Sequence, residues 1–557
     1  MNTHDTHSLQ KTPRARLLAL WARYGLLAVT LVALLRYLLS FAPRLTGTDD
    51  AVYLMLARAL ATGHGLVDLH IRGAPPHTWY PFGFPLLLAP VVWIEPESPA
   101  NVPLAMLVPL IFGVVCIPAA GFCLRRLSEA SPAMSAFVGL FMALNWVEGW
   151  YATKTLLSET SYMVFSFLAL LFIHQYVTAP RPRWWQAALA PFFIAASFFT
   201  RQVGMTVLAA GVVYALVRRR PRRALWLLLL SGLLYAPWAY RNAAIGTSAL
   251  ASTYWDQFLR VKWDEPLLGT VTWQGLIVRL LENIWGHATG TLVQLLLPVP
   301  GQGFLSILPP FLANVIPLVT GLGLSALIVT GYVRSVRRRA GLVEIYLLFY
   351  LGMILLPSWQ TVRNLVPILP FLIYYLIQGL RTLVGAVQKR KLPANLSLEP
   401  AVALAVVLLL LSNLYADRQE LREGAMYRSA GLFYYQGYAG NEKDFFEAAR
   451  WIRDNTPPEA LFFYRFPEKL FLYTGRQTDS EVTRVPAPVV NFMSLEELTD
   501  KIRQRVDYVV VAPSDGGRYG DLGDMIAADR SAFVPVFETS GERKVVIYQV
   551  HHSQKRP

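Results

Sequence analysis

The sequence predicts a polytopic α-helical membrane protein that carries a soluble α/β domain at its C-terminal end. Three observations carry the prediction. Hydrophobic residues fill 54% of the 557 positions and the mean hydropathy is +0.38, too apolar for one soluble globular chain. Apolar runs of about 17 to 22 residues recur between residues 24 and 415, near the length that crosses a hydrocarbon core. Lys/Arg clusters separate those runs, at Lys11 to Arg23, Arg125-Arg126, Arg181 to Arg183, Arg218 to Arg223, Arg334 to Arg339 and Arg381 to Lys391, as the positive-inside rule expects of cytoplasmic loops.

If all six clusters are cytoplasmic, each interval between neighbours holds an even number of crossings. The spans then fall at 24–42, 102–123, 132–150, 157–177, 186–200, 203–217, 224–240, 312–333, 342–357, 364–380 and 401–415. That makes about eleven helices in a membrane domain over residues 1–415, with the N-terminus cytoplasmic and the C-terminus outside. The first run lacks a small-residue cleavage site and reads as an uncleaved anchor. The outer loop 43–101 holds an amphipathic helix near 50–62, ended by Gly63 and Gly65, and a short apolar stretch, Phe82 to Ile94, that lies in the interface. The outer loop 241–311 carries Trp255, Trp263, Trp273 and Trp285, an interfacial belt. Residues 416–557 read as the extracytoplasmic α/β domain. Its helices are Lys443 to Asn455 and Leu495 to Arg505, and its strands Leu461 to Tyr464, Tyr508 to Val511 and Val545 to Val550. Cys116 and Cys123, in one apolar run, read as packing residues. The net charge of +15 is accounted for by the inner loops, so no nucleic-acid partner is predicted.

Polar residues at the outer ends of the spans need explaining. Asp49-Asp50 follows the first span, and Glu159 opens the fourth. Carboxylates held at a membrane are expensive and point to function, although each of these also suits a helix start. The 186–217 hairpin has arms of about 15 residues, or ~22 Å, against a hydrocarbon core of about 30 Å. Its turn, with Arg201, therefore sits in a recess that calls for an anion or water. Arg241 and Arg363 close other helices on the same side, where a guanidinium suits a lipid phosphate. Arg36 falls inside the first span and is left open. His64, His70 and His77 lie in the first loop with Asp68 at spacings that match no zinc pattern, and Glu282 with His287 is a weaker candidate.

An ordered series of motifs resembles the GT-C glycosyltransferases, in the bacterial branch near protein O-mannosyltransferases and lipid A aminoarabinose transferase. Asp49-Asp50 with Tyr53, Ala57 and Gly63 is similar to the first-loop acidic motif. Tyr80-Pro81-Phe82-Gly83-Phe84-Pro85-Leu86 resembles the proline-rich segment that opens the second interfacial helix, and Ser158-Glu159 the second acidic position. Thr200-Arg201-Gln202-Val203-Gly204 and Pro237-Trp238-Ala239-Tyr240-Arg241-Asn242 resemble two basic turns. The match covers about the first 250 residues, and Arg363 with Pro367 and Pro370 extends it. The chain departs in having Asp-Asp where the family often has Asp-Glu, and Trp79-Tyr80 where the aminoarabinose transferase has Glu-Lys. The second departure argues against that enzyme's metal site and product.

The resemblance implies an inverting transfer of sugar from a polyprenyl-phosphate-linked donor, at the outer face of a bacterial cytoplasmic (inner) membrane. The acceptor is a glycolipid, a polysaccharide or a protein. Asp49 is then the base, with Asp50 and Glu159 as orienting carboxylates or ligands of a divalent metal. Arg201, Arg241 and Arg363 contact the donor phosphate, and Tyr53, Tyr80 and His77 the substrate. A divalent metal near Asp49, Asp50 and Glu159 is the candidate cofactor. The rival readings are a non-catalytic flippase or transporter of lipid-linked sugar, which needs a polar path that the inner halves of the spans do not offer, and an envelope assembly protein.

Overall fold

The computed structural model describes residues 13–245, 258–263, 265, 268–298, 309–389, 399–438, 442–483, 493–512, 518–541 and 544–552. Trp255 and residues 299–308 of the second loop lie outside them.

The chain is mostly helical, as a chain in hydrocarbon must be, because a helix satisfies its own backbone polar groups. The helices are α1 (Pro13–Ser40), α2 (Asp49–Ala61), α3 (Gly83–Ile94), α4 (Val102–Leu127), α5 (Pro132–Leu144), α6 (Trp146–Thr153), α7 (Glu159–Thr178), α8 (Trp184–Thr200), α9 (Met205–Val217) and α10 (Pro221–Ile245). There follow α11 (Trp273–Gly286), α12 (Leu292–Leu296), α13 (Pro310–Arg338), α14 (Leu342–Ile354), α15 (Leu369–Lys389) and α16 (Glu399–Tyr438). Among the described residues, five segments are long and apolar enough to cross a membrane: Leu20–Ser40, Val102–Leu127, Glu159–Thr178, Pro310–Arg338 and Val362–Val387.

Three expected spans take a different form. The run 132–150 is broken at Asn145 into α5 and α6. The Asn145 side chain caps α6 through the Glu148 N–H and donates to the Leu295 carbonyl and to Asn413 Oδ1, so tertiary bonds replace the helical ones. The run 364–380 begins as a 3-10 helix, Val362–Ile368, before α15. The last span belongs to a helix of 40 residues with a break at Gly431. Buried ion pairs fix α16 against the N-terminal helices. The Arg36 guanidinium forks onto the Asp417 carboxylate, and the fully buried Lys154 meets Glu423 at 3.1 Å and Glu420 at 3.4 Å. Arg36 therefore does not snorkel outward.

The C-terminal segment contains α17 (Glu442–Asn455), β1 (Phe462–Phe463), α18 (Pro467–Thr474), α19 (Leu495–Arg505), β2 (Tyr508–Val511), α20 (Arg518–Ala528), β3 (Phe533–Glu538) and β4 (Val546–Val550). Its sheet runs β1-β2-β4-β3, with β1 parallel to β2 and the other pairs antiparallel. The sequence reading missed α18, α20 and β3. This segment is bonded to the first loop: Arg72 N donates to the Thr478 carbonyl (2.9 Å), Thr478 N to the His70 carbonyl (2.8 Å) and Gln477 Nε2 to the Leu69 carbonyl (2.8 Å).

Candidate active site

The turn before α2 is shaped by Gly47, whose φ of +92° favours glycine. A Cβ there would lie 3.0 Å from the Phe466 ring and 3.1 Å from Lys469, so α18 rests directly on this turn. Asp50 holds the turn together. Fully buried, it accepts from the N–H groups of Thr46 (2.6 Å), Gly47 (3.1 Å), Thr48 (3.1 Å) and Ala51 (2.8 Å), and from the Thr46 hydroxyl (3.0 Å). Burial raises its carboxyl above the usual range, and the Thr46 and Ala51 donors offset part of that.

Asp49, one residue earlier, faces the other way. Its Oδ1 accepts from the Tyr80 hydroxyl at 2.7 Å and its Oδ2 pairs with Arg363 Nη1 at 2.6 Å. Burial alone would raise its carboxyl, but the Arg363 guanidinium and the Tyr80 hydroxyl outweigh it and hold Asp49 below the ordinary aspartate value. Arg363 reaches that place because the Thr361 side chain caps the 3-10 helix, accepting from Arg363 N. Its Nε donates to Glu159 Oε1, which also accepts from Arg201 Nη1 at 2.5 Å. Glu159 is fully buried at the first turn of α7, and its Oε2 has no hydrogen-bond partner. Arg201 sits between α8 and a 3-10 turn, Gln202–Gly204. The turn is pinned from outside. Gln202 Nε2 donates to the Trp79 carbonyl (2.9 Å), and Gly83 packs so closely that a Cβ would lie 2.6 Å from the Phe199 carbonyl. The result is a chain of alternating charge, Asp49–Arg363–Glu159–Arg201, drawn from four separate parts of the sequence.

Tyr53 and Tyr80 flank the chain, with ring centroids 4.9 Å apart, and the Tyr53 hydroxyl lies 3.3 Å from Ser158 Oγ. His77 stands behind Tyr80, fully buried. Its Nε2 accepts from the Tyr80 N–H (2.8 Å), so its proton is on Nδ1, which donates to Asp68 Oδ1 (2.8 Å). Arg241, expected among the phosphate contacts, is instead spent on the first loop, donating to the carbonyls of His77 and Leu66 at 2.8 Å each.

Asp49, Tyr53, Tyr80, Arg201 and Arg363 line one cavity of about 550 Å³. Trp263 and Trp359 close one side of it, and Tyr464, Arg465, Phe466, Glu468 and Tyr519 of the C-terminal segment another. The sequence reading missed this second wall. Its only trace was the strand at Leu461 to Tyr464.

As placed, Asp49, Asp50 and Glu159 do not converge on a cation: Asp50 is saturated by its turn, and Arg363 lies between the other two. Among the described residues no three of His, Cys, Asp and Glu are grouped to hold a metal ion, and Glu282 with His287 forms no such group.

Comparison with solved structures decides what fold this is. The chain is similar to the archaeal oligosaccharyltransferase AglB of Archaeoglobus fulgidus, in complex with an inhibitory peptide and a dolichol-phosphate, with 15% identity, 96% of this chain and 75% of that one covered, and a TM-score of 0.56. It is similar to ArnT of Cupriavidus metallidurans bound to undecaprenyl phosphate, with 14% identity, coverage of 95% and 99%, and a TM-score of 0.55. The chain shares the fold of these two proteins. A structure of the Archaeoglobus fulgidus oligosaccharyltransferase in complex with Zn and sulfate matches at 15% identity and a TM-score of 0.57, covering 94% of this chain and 73% of that one. No family model matches the chain. No curated protein matches it either. At these identities the GT-C likeness is one of fold, and the chemistry has to be argued from the residues.

Proposed function

We propose that this chain is an inverting glycosyltransferase that moves a sugar from a polyprenyl-phosphate-linked donor to an acceptor hydroxyl at the outer face of a bacterial cytoplasmic membrane. The observation that carries the reading is the Asp49–Arg363–Glu159–Arg201 chain, whose Asp49, Arg363 and Arg201 line one cavity. Arg201 and Arg363 bind the donor phosphate and stabilise it as it leaves. Glu159 orients both guanidiniums, since each meets its Oε1. Asp49 takes the acceptor proton as the hydroxyl attacks the anomeric carbon. Tyr80, set by His77, holds Asp49 in place. Tyr53 contributes to the wall beside them. The neighbours bound to dolichol-phosphate and undecaprenyl phosphate support a lipid phosphate as the donor's carrier.

The same reading sets the membrane frame. The basic clusters lie inside, and about eleven crossings are supplied by α1, α4, α5, α7, α8, α9, α10, α13, α14, α15 and α16, with residues 1–415 as the membrane domain and 416–557 outside. Membrane lipids bound the cavity, and the acceptor is a glycolipid, a polysaccharide or a protein.

The test is sugar transfer by the purified protein from a radiolabelled polyprenyl-phosphate donor to envelope fractions of a deletion strain. Mass spectrometry of the product then identifies sugar and acceptor. Donor-dependent labelling by the parent protein is expected. Labelled lipid crossing vesicles without transfer would establish the flippase instead.

A further inference from the structure

The cavity has two unlike walls. The membrane-side wall carries the paired charges Asp49, Arg363 and Arg201. The opposite wall comes from the connection between β1 and α18 and from α20, and it is aromatic. Tyr464 and Phe466 meet edge to face with centroids 5.9 Å apart. The Arg465 guanidinium lies over both the Phe466 ring (5.0 Å) and the Tyr519 ring (5.3 Å).

Glu468, in the first turn of α18, is the carboxyl of this wall and is buried. Its Oε1 lies 3.5 Å from Nε2 of His70, a fully buried residue of the first loop whose two ring nitrogens have no hydrogen-bond partner. Burial, with Asp68, Asp49 and Asp50 nearby, raises the Glu468 carboxyl to about 8, and burial lowers His70 to about 4. Near pH 7 the pair is therefore largely neutral, and the group facing the cavity is a carboxylic acid that both donates and accepts.

We propose that the C-terminal segment forms an acceptor subsite for a carbohydrate, in which Glu468, backed by His70, anchors a sugar hydroxyl against the aromatic wall. The inference rests on the transferase reading above and narrows its acceptor to one class. A sugar ring has a C–H face that lies on flat aromatic rings and hydroxyls that each donate and accept, matching the two kinds of group present. A lipid phosphate is drawn to the opposite wall, where Arg201 and Arg363 stand. A peptide cannot add as a strand beside β1, which is paired with β2 on one side and bridged to Gln477 on the other, Phe462 N donating to the Gln477 carbonyl at 2.9 Å. Glu468 is a positioning residue in this account. The proton leaves to Asp49, across the cavity.

The experiment uses the full chain in nanodiscs and saturation-transfer NMR. The probes are the methyl pyranosides of glucose, galactose and mannose, their β-linked disaccharides, and a Ser/Thr-containing hexapeptide. Undecaprenyl phosphate binding is measured in parallel. The expected result is ring-proton signal from at least one glycoside. Glu468→Leu should weaken it by about 3- to 10-fold, the range of one net hydrogen bond, and Glu468→Gln, which still donates and accepts, should restore it. Tyr519→Leu, on a different element, should weaken it as well. It guards against a folding defect in Glu468→Leu, with thermal melting compared for all variants. Undecaprenyl phosphate binding by these variants should match the parent. Lipid binding with no variant-sensitive glycoside signal, or with hexapeptide binding in its place, overturns this inference alone. No lipid binding by the parent protein overturns the transferase reading and this inference with it.

Discussion

Replacing Asp49 by Asn separates chemistry from architecture. The change keeps size and hydrogen-bonding shape but removes the charge that accepts a proton. The structure sets the cost to stability. The Asp49–Arg363 pair is partly exposed, at 30% and 20% for the two side chains, and Arg363 retains Glu159 after the change. The loss should therefore lie between that of an exposed and a buried pair, about 1 to 2 kcal/mol. Removal of a general base costs about 10² to 10⁴ in rate, or about 3 to 5.5 kcal/mol of barrier. The functional loss outweighs the structural one, so Asp49→Asn should remain folded and membrane-inserted with turnover reduced by at least about 10². The assay is sugar transfer by purified protein at saturating donor, with thermal melting measured on the same samples. A pH arm sharpens it. Because the Asp49 carboxyl is held below its ordinary value, it stays ionised until pH falls through that depressed pKa, and the acid limb of kcat/KM should lie below the ordinary aspartate range. Near-parent turnover in Asp49→Asn would remove it as the base and direct attention to the buried Glu159.

Three further outcomes follow from the same geometry. Arg201→Ala should raise the KM for donor far more than Arg72→Ala, an exposed arginine of the first loop, and equal effects across a donor titration would refute a phosphate role. Asp50→Ala should act on stability, since it strands the donors of the 46–51 turn, lowering stability by at least about 2 kcal/mol; unchanged melting would refute that. Cysteines introduced at His64 and Glu481 should be labelled by an impermeant maleimide added outside, and one at Arg220 should not; the reverse pattern would overturn the membrane frame.

The fold was legible in the sequence where hydrophobicity alone sets the element. Apolar runs and basic loops placed most helices within a few residues, because backbone in hydrocarbon has few alternatives. Breaks set by tertiary bonds were not legible. Asn145 ends α5 by bonding to residues 295 and 413, which no local pattern announces. In the site, Asp49, Glu159, Arg201 and Arg363 stood out because each is a charge at the end of an apolar run. The direction of each side chain did not. Asp50 and Arg241 share the same sequence signal, yet Asp50 turns to its own turn and Arg241 to the first loop, a choice made by nearby N–H groups and carbonyls. The aromatic wall was invisible, because Tyr464, Phe466 and Tyr519 join a cavity whose other lining residues lie from about 100 to 400 positions away in sequence.

The seating of α18 on the Gly47 turn bears on how the molecule is made. Ribosomes deliver the Asp49 region some 400 residues before residues 462–483, so the acidic turn is made long before its cover exists. Until Thr478 pairs with His70, the cavity lacks one side and its charges stand in bulk water, where they act weakly. Folding of residues 462–483 onto the turn thus serves as a timer: on the transferase reading, the nascent chain has no competent site until they arrive.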